Sequence, residues 1–198
     1  MVKRCAAYKE SMPCCFVDKV IQPVKGNARI AVGAAHINPD IVVSHKVQAE
    51  YDWMVRNFTV QEEVPELHHE NSYASRLYSS YMGQKNQVEW LIERLKSNPA
   101  ARSAAITMFE PLTDERYIPC VSLLDFQKTD GNLDMTAYCR ALDFGCKAYV
   151  NLVMLHLIQK EIAEKVGIPC GKLILIVKSA HFYMRDREKV LAIIGKGR

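Results

Sequence analysis

The chain has 198 residues, enough for one domain with a self-sufficient hydrophobic core. Hydrophobic residues make up 49% and charged residues 24%, the balance of a globular protein, which excludes a disordered or low-complexity chain. Lysine and arginine outnumber the acidic residues by 26 to 22; this net charge of +4 is spread along the chain with no basic run of five, which excludes a long nucleic-acid track.

In chain order, residues 28–35 and 41–44 read as short strands separated by the turn signal Asn38-Pro39-Asp40. Residues 47–55 carry Tyr51, Met54 and Val55 at helical spacing and predict a short helix. Residues 61–70 are acidic and polar and read as a loop. It contains the pair His68-His69, whose adjacency does not place both rings on one helical face, so a solvated loop outweighs a metal role. Val88, Leu91, Ile92 and Leu95 form the apolar stripe of an amphipathic helix over 87–96, which stops before Asn98-Pro99. Residues 103–109 predict a strand.

Residues 121–127 and 133–140 then read as two strands of a hairpin, with Asp130-Gly131 as the turn signal. In the second strand Leu133, Met135, Ala137 and Cys139 alternate with Asp134, Thr136, Tyr138 and Arg140, which puts Arg140 on the polar face. Over 150–166 the apolar positions nearly encircle the first half of a long helix, so it is expected to be central in the core, with Gly167 ending it. The apolar run 173–177 predicts a buried strand, followed by Ser179-Ala180-His181-Phe182-Tyr183 at its end, where ligand groups commonly sit. There is no internal repeat and no linker, so a single α/β domain over 1–198 is expected.

The seven cysteines are odd in number, and none shows Cys-x-x-Cys spacing. A zinc knuckle or a disulfide framework is not expected, and a reducing, cytoplasmic setting fits better. The mixed, charged start has no export core, and no run of 18 apolar residues exists to span a membrane. Cys120 follows Ile118-Pro119 at a strand start. Taken alone it reads as an inert buried thiol. A nucleophile would need a nearby cation to favour the thiolate, and Arg140 on the paired strand is the candidate.

Spacing changes that balance. Cys120, Arg140, Asn151 and the pair His181-x-Tyr183 are separated by 20, 11 and 30 positions. In order and interval they resemble the thymidylate synthase family's Pro-Cys, Arg, Asn and His-x-Tyr. Arg140-Ala141-Leu142-Asp143 looks like that family's Arg-Ser-x-Asp. Residues 95–102, ending in Arg102, resemble the segment that supplies phosphate-binding arginines across the dimer. Tyr73-Ala74-Ser75-Arg76 is a weaker match to a Tyr-Gly-x-x-Arg motif.

The resemblance, which covers about residues 73–183, implies an α/β fold with a mixed β-sheet and a long central helix, dimerising by stacked sheets. It implies a one-carbon transferase acting at C5 of a uracil-type pyrimidine nucleotide, with methylation or hydroxymethylation as the outcome. Cys120 would be the covalent nucleophile. Arg140, with Arg102 from a second subunit, would hold the 5′-phosphate, and Asn151 would read the pyrimidine edge. His181 and Tyr183 would bond the sugar 3′-hydroxyl, Tyr73 would join the substrate site, and Asp143 would face the one-carbon donor and order water. A reduced folate or related methylene-tetrahydropterin is the implied cofactor, with no metal, no nucleic-acid polymer and no membrane among the partners.

Some positions depart from the pattern. Ser103 replaces the second of the paired arginines, Ala141 the serine after the phosphate arginine, and Lys147 the glycine four positions after Asp143. Fifteen residues follow Tyr183, where typical members continue into a tail that closes over folate; the short form resembles a compact archaeal branch. Glu50, Glu62, Glu63 and Glu66 remain alternatives for the proton-relaying glutamate. A divergent enzyme with another donor or substrate, and a non-catalytic nucleotide-binding protein, are the other readings.

Overall fold

A computed structural model describes residues 19–24, 27–33, 49–79, 86–111, 113–115 and 117–188. The predicted strand at 41–44 lies outside the described residues. The central hairpin forms as its sequence requires. Strand β4 (Val121–Thr129) and strand β5 (Asn132–Cys139) pair antiparallel from Val121↔Cys139 to Thr129↔Asn132. Asp130 and Gly131 take φ of 50° and 84°, the left-handed values that a two-residue hairpin loop demands.

Strands β1 (Lys19–Val24), β2 (Asn27–Gly33), β3 (Ala104–Thr107) and β7 (Cys170–Val177) complete a six-stranded sheet in the order β1-β2-β7-β5-β4-β3. The β5–β7 pair is parallel and every other neighbour is antiparallel, so the sheet is mixed. Parallel strands need a long crossover, and helix α4 (Ala148–Val166) lies between β5 and β7 in the chain. Gln159, wholly buried on α4, donates from Nε2 to the carbonyls of Leu133 (2.8 Å) and Lys172 (3.0 Å), which ties the helix to both strands. Gly167, at φ 79°, closes α4 by donating to Ala163 and Glu164.

Helices α1 (Ala49–Thr59), α2 (Tyr73–Tyr78) and α3 (Gln87–Ser97) share a core with α4 and the inward residues Leu133, Met135, Ala137, Leu173 and Leu175. The opposite sheet face carries Leu123, Asp125, Thr136, Tyr138, Ile174 and Ile176, none of them fully buried. Helix α1 runs past the expected Val55 because its apolar stripe continues through Met54 and Phe58, while buried Asn57 accepts the Tyr73 N–H at 2.9 Å. Strand β7 starts earlier than its apolar run, since the Lys172 N–H is held by Asp134 at 2.7 Å.

The expected loop at 61–70 contains a single 3₁₀ turn, Pro65–Leu67, followed by His68 and His69 at φ 51° and 71°. His69 pairs with Glu63 at 2.7 Å on the surface. Among the described residues no group of three or more His, Cys, Asp or Glu is placed to hold a metal ion, and no helix is long and apolar enough to cross a membrane.

Candidate active site

The carboxyl ends of the parallel strands β5 and β7 and the start of β4 lie at one end of the sheet, where most of the residues singled out above converge. Cys120 immediately precedes β4, and its backbone is clamped on successive groups. Arg140 donates from Nη2 to the Ile118 carbonyl (2.6 Å), from Nε to the Pro119 carbonyl (3.1 Å) and from its main-chain N–H to the Cys120 carbonyl (2.9 Å). The next group, the Val121 N–H, donates to the Tyr73 hydroxyl at 3.1 Å. Arg140 is therefore a brace for the cysteine loop as well as a cation beside it.

Burial pushes the Cys120 thiol above its ordinary value, Arg140 and Lys147 pull it down, and the Asp143 carboxylate raises it again. Two phenols also adjoin the thiol. Burial holds Tyr73 well above the ordinary phenol range, and carries Tyr117 up to about 12, with Cys120 the next contributor in each case. Behind them, burial pushes Cys139 up to about 12.

After Arg140 the chain makes the two-residue strand β6 (Leu142–Asp143), which pairs parallel with β8 (Ala180–His181) and places Asp143 opposite His181. Main-chain bonds from Leu142 to Ser179 (3.0 Å) and from Phe144 to His181 (2.7 Å) fix that register. The buried Asp143 accepts the Gly145 N–H on Oδ1 at 2.9 Å, while Oδ2 has no hydrogen-bond partner. Burial chiefly raises its pKa above the ordinary carboxylate range; the Gly145 N–H, His181 and Lys147 oppose this, and Asp186 adds to it. A side chain at Gly145 would put Cβ 2.9 Å from Asp186 Oδ2 and 3.1 Å from Asp143 Oδ1, so the close approach of these carboxylates depends on glycine there. His181 packs edge-on against Tyr183 at 5.4 Å between centroids, and Tyr183 is half exposed.

Asn151 sits one turn into α4 and is 2% exposed. Its Nδ2 donates to the Lys147 carbonyl at 2.8 Å, and its Oδ1 is buried without a partner. A buried, unpaired amide oxygen costs about 1–3 kcal/mol, which a ligand donor would recover. The Lys147 ammonium lies 4.9 Å from the Trp53 ring centroid, a cation–π contact between the start of α4 and α1.

Arg102 is separate from this group. It is exposed just before β3, and β3 pairs with β4 from Ala104↔Phe126 to Thr107↔Leu123. At about 3.4 Å per residue, Arg102 stands roughly 20–25 Å along the sheet from Cys120 in the same chain. Its neighbour Ser103 accepts a hydrogen bond from Arg94. Of the glutamates considered for proton relay, Glu63 pairs with His69 and Glu66 with Arg56, all on the surface.

Two contributors are visible only in three dimensions. Tyr117 precedes Cys120 by three positions without any motif of its own, and Trp53 is far from Lys147 in sequence.

The sequence profile of the family described as thymidylate synthase matches residues 41–197. A protein of Methanosarcina barkeri named "Putative thymidylate synthase" is 35% identical over 127 residues, 63% of this chain and 58% of that relative. One of the same name from Methanopyrus kandleri is 30% identical over 159 residues, 77% of this chain and 75% of the relative. The thymidylate synthase of Listeria monocytogenes is 31% identical over 107 residues, 53% of this chain and 34% of the relative. The chain thus spans less than two thirds of the Methanosarcina relative's length. With the family profile extending over most of its residues, the chain belongs to the thymidylate synthase family.

Proposed function

We propose that this protein transfers a one-carbon unit to C5 of a uracil-type nucleotide, with Cys120 as the covalent nucleophile. Carbon 5 of uracil is a poor nucleophile until a group adds at C6. The Cys120 thiolate adds there, the enolate carbon C5 attacks the one-carbon electrophile, and the C5 proton leaves; the carrier would then depart from the one-carbon unit, and a hydride from the carrier or a water would complete the methyl or hydroxymethyl group as elimination breaks the S–C6 bond. Arg140 spends two of its three guanidinium nitrogens on the cysteine loop. That leaves Nη1 for a phosphate oxygen through a charge-assisted bond. Arg102 completes the phosphate site from a second subunit, since it lies at the wrong end of β3 to reach the Cys120 of its own chain. Dimerisation through the half-covered sheet face brings it there.

The observation that carries the reading is Asn151. Its amide has two N–H groups and one carbonyl. One N–H is committed to the Lys147 carbonyl, and the orphaned Oδ1 remains with the second N–H. One acceptor beside one donor complements N3–H and O4 of uracil and opposes the reversed pattern of cytosine. His181 and Tyr183 bond the sugar hydroxyl.

A reduced folate or related pterin would supply the one-carbon electrophile. The unpaired Asp143 Oδ2 is the atom that fits a pterin N–H. Lys147 favours a second reading, the same cysteine chemistry with a different donor or base, because it replaces the family's glycine beside that carboxylate.

Release of tritium from the 5-³H forms of deoxyuridylate and uridylate tests the proposal. The expected result is release that requires Cys120 and a methylene-tetrahydropterin. Release without any pterin supports the second reading. Full release by Cys120→Ser refutes the covalent role.

A further inference from the structure

We propose that Arg94, in the last turn of α3, is a further phosphate-binding residue: beside Arg102 it supplies the second guanidinium that Ser103 does not. Arg102 is followed by Ser103, so the chain entering β3 brings one cation rather than two. Arg94 makes up the difference in space. It donates from Nη2 to Ser103 Oγ. Its Cζ lies 5.4 Å from the Trp90 ring centroid, a cation–π contact between residues four apart on the helix. Its carbonyl accepts the Ser97 hydroxyl and the Asn98 N–H, each at 2.9 Å, which fixes the helix end from which it projects. One hydrogen bond and one ring therefore hold the guanidinium against the residue next to Arg102.

What this side chain lacks is an anion. Arg76 pairs with Asp114 and Arg56 with Glu66, but among the described residues no carboxylate pairs with Arg94. A guanidinium carries five N–H donors; one goes to Ser103, and the Nε donor is buried without a partner. A half-buried cation with unspent donors is unfavourable until an opposite charge meets it. The dianionic end of a nucleoside monophosphate is the ligand that fits, because two planar guanidinium groups match the oxygens of one phosphate. The inference rests on the proposed reading that Arg102 reaches the partner's site; Arg94 goes with it, because Ser103 links the two.

The test uses inorganic phosphate as the probe, so it does not depend on turnover. Phosphorus NMR titration of the full chain gives the dissociation constant for each variant. Arg94→Gln is expected to weaken phosphate binding about tenfold, the loss of one charge-assisted hydrogen bond. Adding Ser103→Arg to Arg94→Gln is expected to recover most of that loss, because a guanidinium then stands beside Arg102 again. A residue that only braced Ser103 and Trp90 would not be rescued in this way. Wild-type phosphate affinity in Arg94→Gln, no phosphate binding by the wild-type protein, or a loss that Ser103→Arg leaves in place overturns the proposal. Arg102→Ala separates the inference from the reading beneath it. Weakened binding in Arg102→Ala with wild-type affinity in Arg94→Gln refutes the role of Arg94 alone. Weakened binding in both, with rescue by Ser103→Arg but no tritium release from either nucleotide, refutes the proposed transferase and leaves the anion site.

Discussion

The Tyr73 hydroxyl is the single atom whose removal most cleanly separates scaffold from substrate contact. It accepts the Val121 N–H at 3.1 Å, and both residues are almost wholly buried, at 2% and 0% exposure. Tyr73→Phe deletes one oxygen and orphans the Val121 N–H. That orphan costs about 1–3 kcal/mol. For a domain of this size each kcal/mol lowers Tm by about 2–4 °C, so the expected loss is about 2–12 °C. Thermal unfolding followed by far-ultraviolet circular dichroism reads the loss directly. In parallel, the KM for nucleotide separates the two roles: a brace lowers Tm and leaves KM within about twofold, while a substrate contact raises KM. A Tyr73→Phe protein melting within 1 °C of wild type would refute the reasoning that the strand after Cys120 hangs on this hydroxyl.

Further outcomes follow from the same geometry. Asn151→Ala should weaken binding of a uracil nucleotide by about tenfold or more, the loss of one or two buried hydrogen bonds, measured by titration calorimetry; unchanged affinity contradicts base reading by the amide. Asp143 is held above the ordinary carboxylate range, chiefly by burial. The native state therefore binds its proton more tightly than the unfolded chain does, and stability falls as pH rises from about 4, the unfolded value, through the native one. Asp143→Asn lacks that linkage, so its Tm relative to wild type should improve between pH 4 and pH 7; parallel curves contradict the assignment. Mixing inactive Arg102→Ala and Cys120→Ser proteins after dissociation should restore about a quarter of wild-type activity, because half the dimers are mixed and each carries one intact site. No recovery contradicts a shared site.

How much was legible beforehand depended on whether a feature was local. The hairpin over β4 and β5 is written in period-2 alternation around Asp130-Gly131, and α3 in its i, i+3, i+4, i+7 stripe; both form where expected. Helix α2 is not legible in the sequence because six residues hold too little periodicity. It exists through Ser72 capping Ser75 at 2.9 Å and through buried Arg76, which bonds Asp114 at 2.9 Å and the Met108 carbonyl at 2.8 Å. Strands β6 and β8 are two residues each and exist only because Arg140 and Lys178 bring two chain segments side by side. In the site, spacing pointed to Cys120, Arg140, Asn151 and His181, but it could not show that Arg140 braces the loop. Nor could it show that Lys147, flagged only as a missing glycine, reaches Trp53. Those facts belong to contacts between distant segments, which no window of sequence contains.

The most direct test of the account is the mass of the Cys120 peptide after incubation with 5-fluoro-2′-deoxyuridylate or 5-fluorouridylate, with and without methylene-tetrahydrofolate. Fluorine at C5 cannot leave as a proton does, so once C5 has bonded the one-carbon unit the adduct at C6 is trapped. The account predicts that, with methylene-tetrahydrofolate present, Cys120 gains the mass of the nucleotide plus the one-carbon carrier, absent in Cys120→Ser. A folded protein that binds either nucleotide yet shows no adduct on Cys120 would contradict it.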